Sequence, residues 1–589
     1  MVGTLVILAI GLPWLGALVV LLFGGKAERW QHGLAIFFAV LSGLAGLGLL
    51  TQASSSLAFT IPIGGVFGDF TFVADGLGVF LAAIATVIGS LAVIFSADYM
   101  KGEGQLGRYY AFVLFFIGAM AGLVLTSNLF LMFIFWEITA LCSYALISFH
   151  NDDPKAVAGG IKALIITQLG GIGLLAGALL LYSYQKSYDI SAFLTNPGVL
   201  PGNILGVMAF GCLVAAAAKS AQFPFQTWLP DAMEAPTPIS ALIHAATMVN
   251  AGVYLLARFY PAFKDVPGWT TAVVLDGMIT ALLAAFMAIV ATDLKRVLAY
   301  STVSQLGYMV YAVGAGGIYA SQFHLFSHSV FKALLFLGAG AVIHAVGTRD
   351  MRQMGGLGKQ MPLVRTVFVI GALALAGIPI LNGFWSKELI LESGLAFGEA
   401  NGMVWAYAFM VLGAGLTALY TIRCVWMVFY GEARGHLHGH DAGLAMKVAL
   451  LPLALGTLTT WLLAGPFSQL LASVPSYAKL GLEPNSTWAI LEEVVSAPAT
   501  LVVLAVILLG ILAWIFRSRL AGVVNVLRPF NSAASNSFGF ETINRAVVWT
   551  TETTAENLRA TQTGLLNWNV AGIVVCLAIV LAIVVMGGR

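Results

Sequence analysis

The chain has 589 residues, of which 60% are hydrophobic and 9% charged, with a net charge of +2. That apolar share lies outside the range of soluble domains and places the chain among polytopic membrane proteins. Near-neutral charge without a basic block gives no reason to expect nucleic acid as a partner. The four cysteines, Cys142, Cys212, Cys424 and Cys576, fall inside apolar runs without CxxC spacing. They read as small buried hydrophobes, which argues against disulfides, haem or an iron–sulfur cluster on this chain.

A helix needs about 20 apolar residues to cross a bilayer, and about 16 runs qualify. The first, Thr4–Gly24, lacks a basic leader and reads as a retained helix. Runs centred near Leu41, Val87, Ile117 and Ile138 follow; the last of these carries Glu137 in FLMFIFWEITALCSY. The sixth and seventh centre near Leu169 and Phe210, and the seventh ends in VAAAAKSAQFPF, where Lys219 precedes a break at Pro224. Runs near Thr247, Leu282, Leu306 and Leu334 lead to the twelfth, near Leu373, which is interrupted at Pro379 and Gly383 before Lys387. Three more centre near Leu412, Ala454 and Ile507. The gap from Arg517 to about Trp568 is amphipathic and predicts a helix lying along the membrane surface. A last run centres near Ile579.

Loops after odd-numbered runs hold most of the basic residues, among them Lys26, Lys101, Lys155, Arg349, Lys359 and Arg528. Loops after even-numbered runs, with the tail, hold only Lys186, Arg258, Lys264, Lys479 and Arg589. The positive-inside rule then puts the odd loops in the cytoplasm and both termini outside. Lys162, Lys219, Lys332, Lys387 and Arg423 remain within spans. An ionised group at membrane depth costs about 2.5–3.5 kcal/mol even on lenient scales, so such residues point to an ion or proton path.

Two stretches echo one another: GGIKALIIT around Lys162 and SVFKALLFL around Lys332, with Lys219 and Lys387 at nearly the same offset, each beside a break. Spans 4–8 and 9–13 therefore read as two copies of a five-helix unit. An odd number of helices per copy inverts the second copy, and inverted repeats with broken helices place the working site at the breaks.

Glu137 is near the middle of its span, and Lys219 is the natural partner. A carboxylate that approaches or leaves a desolvated ammonium changes how tightly it holds its proton, which is an electrostatic switch. His324, His328 and Lys332 recur every four residues on one helix face and form one side of a proton wire, since imidazole both accepts and donates near neutral pH. His244 adds a relay point on the eighth span. Lys387, after its break, is the exit-side candidate, solvated by freed carbonyls and water. Only Glu137 offers a mid-span glutamate to its lysine; Gly307 stands about 170 residues later, where the second copy would place one. Lys162, Asp231, Glu234 and Tyr308 are candidate supporting residues, with Asp231 and Glu234 equally readable as loop acids. Asp293, Lys295 and Arg296 read as orienting charges at the cytoplasmic boundary. His436, His438 and His440 form HxHxH in a glycine-rich loop and are expected to be solvated, without a metal. No phosphate loop or dinucleotide fingerprint occurs.

FIFWEITALCSYALISF, AKSAQFPFQTWLPDAMEAPTPISALIHAATMVNAGVYLLARF, DLKRVLAYSTVSQLGYM, HLFSHSVFKALLFLGAGAVIH and GIPILNGFWSKELIL together resemble the antiporter-like subunits of respiratory complex I. The similarity is greatest to the large distal subunit, called L in bacteria. Related motifs occur in the large subunits of Mrp-type sodium/proton antiporters and in membrane-bound hydrogenases. The resemblance runs from about Arg108 to about Leu395. It implies that Glu137 and Lys219 are the carboxylate–lysine pair of a first half-channel. His244, His324, His328 and Lys332 would be the central hydrophilic axis, and Lys387 the terminal lysine of a second half-channel.

The fold so implied is all-α and polytopic, with two inverted repeats, broken helices 7 and 12 and a lateral helix before the last span. Its divisions are 1–108, 109–260, 261–430, 431–517 and 518–589. The implied function is proton translocation as a membrane-arm subunit of a donor:quinone oxidoreductase, in a bacterial or archaeal inner membrane. This chain would carry no cofactor and no redox chemistry, with flavin, iron–sulfur clusters and quinone in partner subunits. Protons are the expected ion, with Na⁺ as the alternative. Two features depart from the pattern. Gln168 and Gly171, in ITQLGGIGLL, replace an arginine and an aspartate found in many relatives, and the lateral stretch is short. The chain stops at Arg589, where Mrp large subunits continue, which favours a complex I-like host over an antiporter.

Overall fold

The computed structural model describes residues 2–22, 28–53, 58–434, 437, 439–520, 522, 528–561 and 575. Lys26, Ser55, His436, His438, Cys576, the last apolar run and Arg589 lie outside them. The chain divides into two units, 1–531 and 532–589.

The first unit is a helical bundle. Helices α1 (Val2–Leu22) and α2 (Glu28–Leu50) lead to a short antiparallel pair, β1 (Ala58–Ile61) and β2 (Phe70–Val73). Helices α3 (Gly76–Tyr99), α4 (Leu106–Leu125), α5 (Leu129–Ile147) and α6 (Pro154–Gln185) follow. Their starts are set by short polar side chains: Asp75, Asn128 and Asp153 accept hydrogen bonds from Gly78, Leu131 and Lys155. Such caps satisfy amides that the first turn cannot. After a short α7 (Ile190–Thr195), α8 (Gly202–Lys219) ends at the first break, and α9 (Trp228–Asp231) follows it.

Helix α10 (Thr237–Ala241) runs into a π-helical turn, Leu242–Ala246, and then into α11 (Asn250–Phe263). Next come α12 (Trp269–Val290), α13 (Leu294–Gly314) and α14 (Ile318–Val346). Helix α15 (Pro362–Ala376) stops at the second break, and α16 (Asn382–Asn401) resumes beyond it. The remainder is α17 (Val404–Val425), α18 (Leu444–Thr459), α19 (Ala464–Ala472), α20 (Pro475–Ala478), α21 (Thr487–Ser496) and α22 (Pro498–Ile515). Helix α23 (Arg528–Ser535) crosses the boundary between the units, and α24 (Phe540–Thr561) belongs to the second. Both fall in the stretch read as lateral.

Among the described residues, 13 helices are long and apolar enough to cross a membrane. Apart from the last, each apolar run of the sequence is centred in a helical segment. Helix α13 is missing from the apolar set because it carries Ser301, Thr302, Ser304 and Gln305, all fully buried in the bundle. It sits against α12 at backbone distance: a Cβ at Gly307 would lie 2.6 Å from Gly277 O and 2.7 Å from Ala281 N. Small residues at such crossings let helices approach without a hydrophobic driving force.

The second break has a local cause. Gly377 takes φ +79°, a left-handed value that closes α15, and Pro379 cannot donate back to the carbonyl of Leu375. That freed carbonyl becomes part of the site.

Candidate functional site

Lys219 ends α8 with none of its surface exposed. Its Nζ donates to Trp136 O at 2.7 Å and lies 4.9 Å from the centre of the Trp136 ring. A buried ammonium over an indole face gains a cation–π attraction that partly offsets its lost hydration. Glu137 is the next residue of α5, so its carboxyl and the lysine are close enough for the charge of each to act on the other, without a direct hydrogen bond between them. Both Glu137 oxygens are shut off from solvent. On α6 the carboxyl faces Gln168 and Gly171: neither Glu137 oxygen has a hydrogen-bond partner among the described residues, the Gln168 amide is near enough to act on the carboxyl, and a Cβ at Gly171 would crowd Glu137 Oε1. The two departures from the family pattern thus lie together, a neutral amide and an empty place beside the carboxyl.

The central axis runs along α14. His324, His328 and Lys332 are all fully buried, with the imidazole centres of His324 and His328 6.3 Å apart. His324 Nδ1 pairs with Ser386 Oγ of α16 at 2.9 Å, and Nε2 with Gln305 Oε1 of α13 at 3.1 Å. Lys332 donates to Leu298 O at 3.1 Å and to Ser301 Oγ of α13. His244 sits in the π-helical turn, tilted at 38° to the Phe336 ring with centres 4.8 Å apart, and feels the charges of Lys332 and Lys295. π-turns inside helices recur at functional sites, where they turn a side chain out of its regular row.

Neither ring nitrogen of His244 or His328 meets a hydrogen-bond partner among the described residues, nor do the Gln226 and Gln322 amides or the Ser240 and Ser327 hydroxyls. Buried polar groups are as a rule satisfied by protein or ordered water. A lining with this much spare hydrogen-bonding capacity suits a chain of bound water.

Lys387, 1% exposed, donates to the freed Leu375 carbonyl at 2.9 Å, as a lysine solvated by a helix break should. Its Nζ lies 5.8 Å from the Tyr308 ring centre, and Tyr308 OH donates to Met410 O at 2.6 Å. A partner absent from the sequence reading stands beside it. Glu388 is 4% exposed and electrostatically coupled to Lys387, so the second lysine does have a carboxylate. The expected counterpart position, Gly307, is occupied by the backbone of α12 and has no room for a glutamate.

Toward one end of the bundle, Lys162 Nζ pairs with Asp231 at 2.7 Å, and Arg296 reaches the same carboxylate at 3.2 Å. Arg349 joins Glu234 and Asp293, each at 2.9 Å. Asp231 and Glu234 are therefore ion-paired residues after the first break and not solvated loop acids. Two further assignments change. Lys295, at the start of α13 beside that cluster, is 3% exposed and donates to Ala235 O at 2.5 Å, so the boundary charge is buried in the bundle and not solvated. Arg258, counted above with an outer loop, is 8% exposed in α11 and paired with Asp75. Asp276, with its carboxylate oxygens buried in α12 beside Thr280, also went unnoticed. Glu388 and Asp276 carry the signal that found Glu137, a charge within an apolar run.

Residues 126–417 match the family model described as NADH:quinone oxidoreductase/Mrp antiporter, transmembrane, and residues 61–110 match the N-terminus of NADH-ubiquinone oxidoreductase (complex I) chain 5. The chain is 42% identical over 433 residues to NAD(P)H-quinone oxidoreductase chain 5 of Synechocystis sp., covering 71% of this chain and 62% of that protein. It is 42% identical over 452 residues to the protein of that name from Picosynechococcus sp., covering 72% of this chain and 67% of the relative. The match thus spans about two thirds of the relatives' length. Among solved structures, the Mrp complex from Dietzia sp. DQ12-45-1b holds a chain with a TM-score of 0.85 and 29% identity, covering 99% of this chain and 63% of that one. With its Glu137–Lys219 pair and buried histidine–lysine axis, the chain belongs to the antiporter-like membrane subunit family of the NADH:quinone oxidoreductases and Mrp antiporters.

Proposed function

We propose that this chain translocates protons as a membrane-arm subunit of a redox-driven quinone oxidoreductase complex. The observation that carries the reading is the run of buried groups through an otherwise apolar bundle: Glu137, Lys219, His244, Lys332, His328, His324, Lys387 and Glu388. Glu137 and Lys219 form the loading pair, the axis passes the charge between the halves, and Lys387 with Glu388 releases it. Lys162, Asp231, Glu234 and Tyr308 hold these groups in place. The halves are two inverted five-helix repeats, 109–260 and 261–430, flanked by 1–108, 431–517 and 518–589. The chain lies in a bacterial or archaeal inner membrane with its termini outside. Neighbouring subunits supply the flavin, iron–sulfur clusters and quinone site.

The test is proton uptake by sealed vesicles containing the assembled complex. Glu137→Gln and Lys332→Met should each abolish uptake while assembly persists. Uptake at the wild-type rate in both variants overturns the reading. An ion-gradient-driven antiporter is the second reading, supported by the 0.85 TM-score to a chain of an Mrp complex. Co-purifying flavin and iron–sulfur subunits favour the first; Na⁺-dependent proton exchange without them favours the second.

A further inference from the structure

The exit-side reading places release at Lys387, yet a second polar path leaves the axis on the other half of the bundle. Asn250, Tyr254 and Arg258 recur every four residues along one face of α11. Asn250, 1% exposed, donates to Ala245 O at 2.8 Å in the π-helical turn of His244. It also donates to Ser329 Oγ at 3.2 Å, beside His328. Its Oδ1 has no partner among the described residues. One turn on, Tyr254 is fully buried; its hydroxyl donates to Val124 O at 3.1 Å and accepts from Arg258 Nε at 3.2 Å. Arg258 makes a two-pronged pair with Asp75, one arm at 2.9 Å. Eight residues of helix span about 12 Å, most of the distance from the midplane of a bilayer to its surface.

The stripe ends in a cavity of about 330 Å³, whose walls include Asp75, Arg258, Ser127, Asp189, Ser476 and Lys479. These come from chain segments that the charge asymmetry places at the outer face. An ion pair that only locked α11 to the start of α3 would not need a polar cavity on one side and an axis-linked stripe on the other.

We propose that this cavity is an outer mouth of the ion path and that Asp75 and Arg258 are its gate. In the closed state the pair fills the floor of the cavity, and the guanidinium repels cations arriving from outside. A proton delivered past Asn250 and Tyr254 is taken by the Asp75 carboxylate as it parts from Arg258, forming an O–H bond. That proton then leaves to water in the cavity, and the restored carboxylate pairs with Arg258 again. Arg258 stays protonated throughout, since its side chain does not titrate in proteins. The titratable groups that face the pair are Tyr254, Tyr477, Asp189 and Lys479.

This inference rests on the translocation reading above, and its test separates the two. Ser476→Cys is introduced into the full complex in sealed vesicles with the outer face accessible. The described native cysteines, Cys142, Cys212 and Cys424, are buried and spared. A bulky membrane-impermeant thiol reagent is added, labelling is verified by mass, and ion translocation is compared before and after. Loss of translocation toward the Glu137→Gln level supports the outer mouth, as does a loss in Tyr254→Phe, which keeps the ring packing but removes the hydroxyl. Unchanged translocation in the fully labelled complex overturns the proposal while Glu137→Gln remains inactive. If Glu137→Gln also translocates normally, the underlying reading falls and this one with it.

Discussion

Replacing Lys219 by arginine separates a cycling proton from a fixed charge. The neighbours of the ammonium suit a guanidinium chemically: it donates to one carbonyl, Trp136 O at 2.7 Å, and lies 4.9 Å from one aromatic face. A guanidinium meets both with a donor N–H and a planar face. Desolvation and the charge of Glu137 act on either side chain, so to first order the difference in intrinsic proton affinity survives burial. That difference, about 2–3 pH units or about 3–4 kcal/mol, makes the neutral form about 100–1000-fold rarer for arginine. If the lysine must release its proton in each cycle, Lys219→Arg should assemble normally and pump about 100-fold or more slower. The assay is proton uptake in sealed vesicles, normalised to assembled complex. Pumping within about twofold of wild type, a difference of less than about 0.5 kcal/mol, refutes the reasoning and leaves Lys219 as a stationary charge.

Glu137→Gln should abolish pumping with assembly intact, and Glu137→Asp should do less harm, both read by the same uptake assay. Lys332→Met should be worse than His324→Ala or His328→Ala alone, because water bypasses one imidazole but does not supply a permanent cation; equal small effects would mark the stripe as packing. Gly171→Ala should slow pumping but less than Glu137→Gln does, since the added methyl displaces the flexible Glu137 carboxyl without removing it; normal turnover in that variant would show that the carboxyl works elsewhere. Cysteines beside Lys359 should react with impermeant reagents only from the cytoplasmic side and those beside Lys479 only from outside, and labelling of both from one face would reverse the span parity.

Much of the site was legible because charge is rare here. Glu137, Lys219, Lys332 and Lys387 stand out in apolar runs, and the spacing of His324, His328 and Lys332 is enough to align them on α14. The omissions also have physical causes. Glu388 follows Lys387 directly and was absorbed into the same charged spot. Arg258 was counted with a loop because an arginine near a helix end looks alike in sequence whether it meets water or a buried carboxylate. Gly307 was chosen by counting residues from Glu137. Equivalent places in inverted copies do not keep a constant offset once loops differ, and only the structure shows α12 filling that position. The replacement of a charged pair by Gln168 and Gly171 looked like a loss. In the structure α6 instead gives the Glu137 carboxyl a neutral amide neighbour and an open space.

The two lysines are alike in burial but not in how their carboxylates are attached. Lys219 and Glu137 sit on different helices, α8 and α5, so a small displacement of one helix against the other changes their separation and the charge each feels. Coulomb energy at an effective dielectric of about 20 changes by about 1 kcal/mol when unit charges move from about 4 to 5.5 Å. Motion therefore reaches that pair directly. Lys387 and Glu388 are neighbours on α16, and adjacent helical side chains diverge by about 100° at a fixed spacing that no rigid-body shift alters. Their coupling changes only when one of them gains or loses a proton or turns its side chain. Within the translocation reading, this gives the halves different parts: the first converts helix movement into a change of proton affinity, and the second responds to charge arriving along Lys332, His328 and His324. Uncoupling α5 from α8 should then stop the cycle at its start, whereas a neutral Glu388 leaves loading intact and slows release.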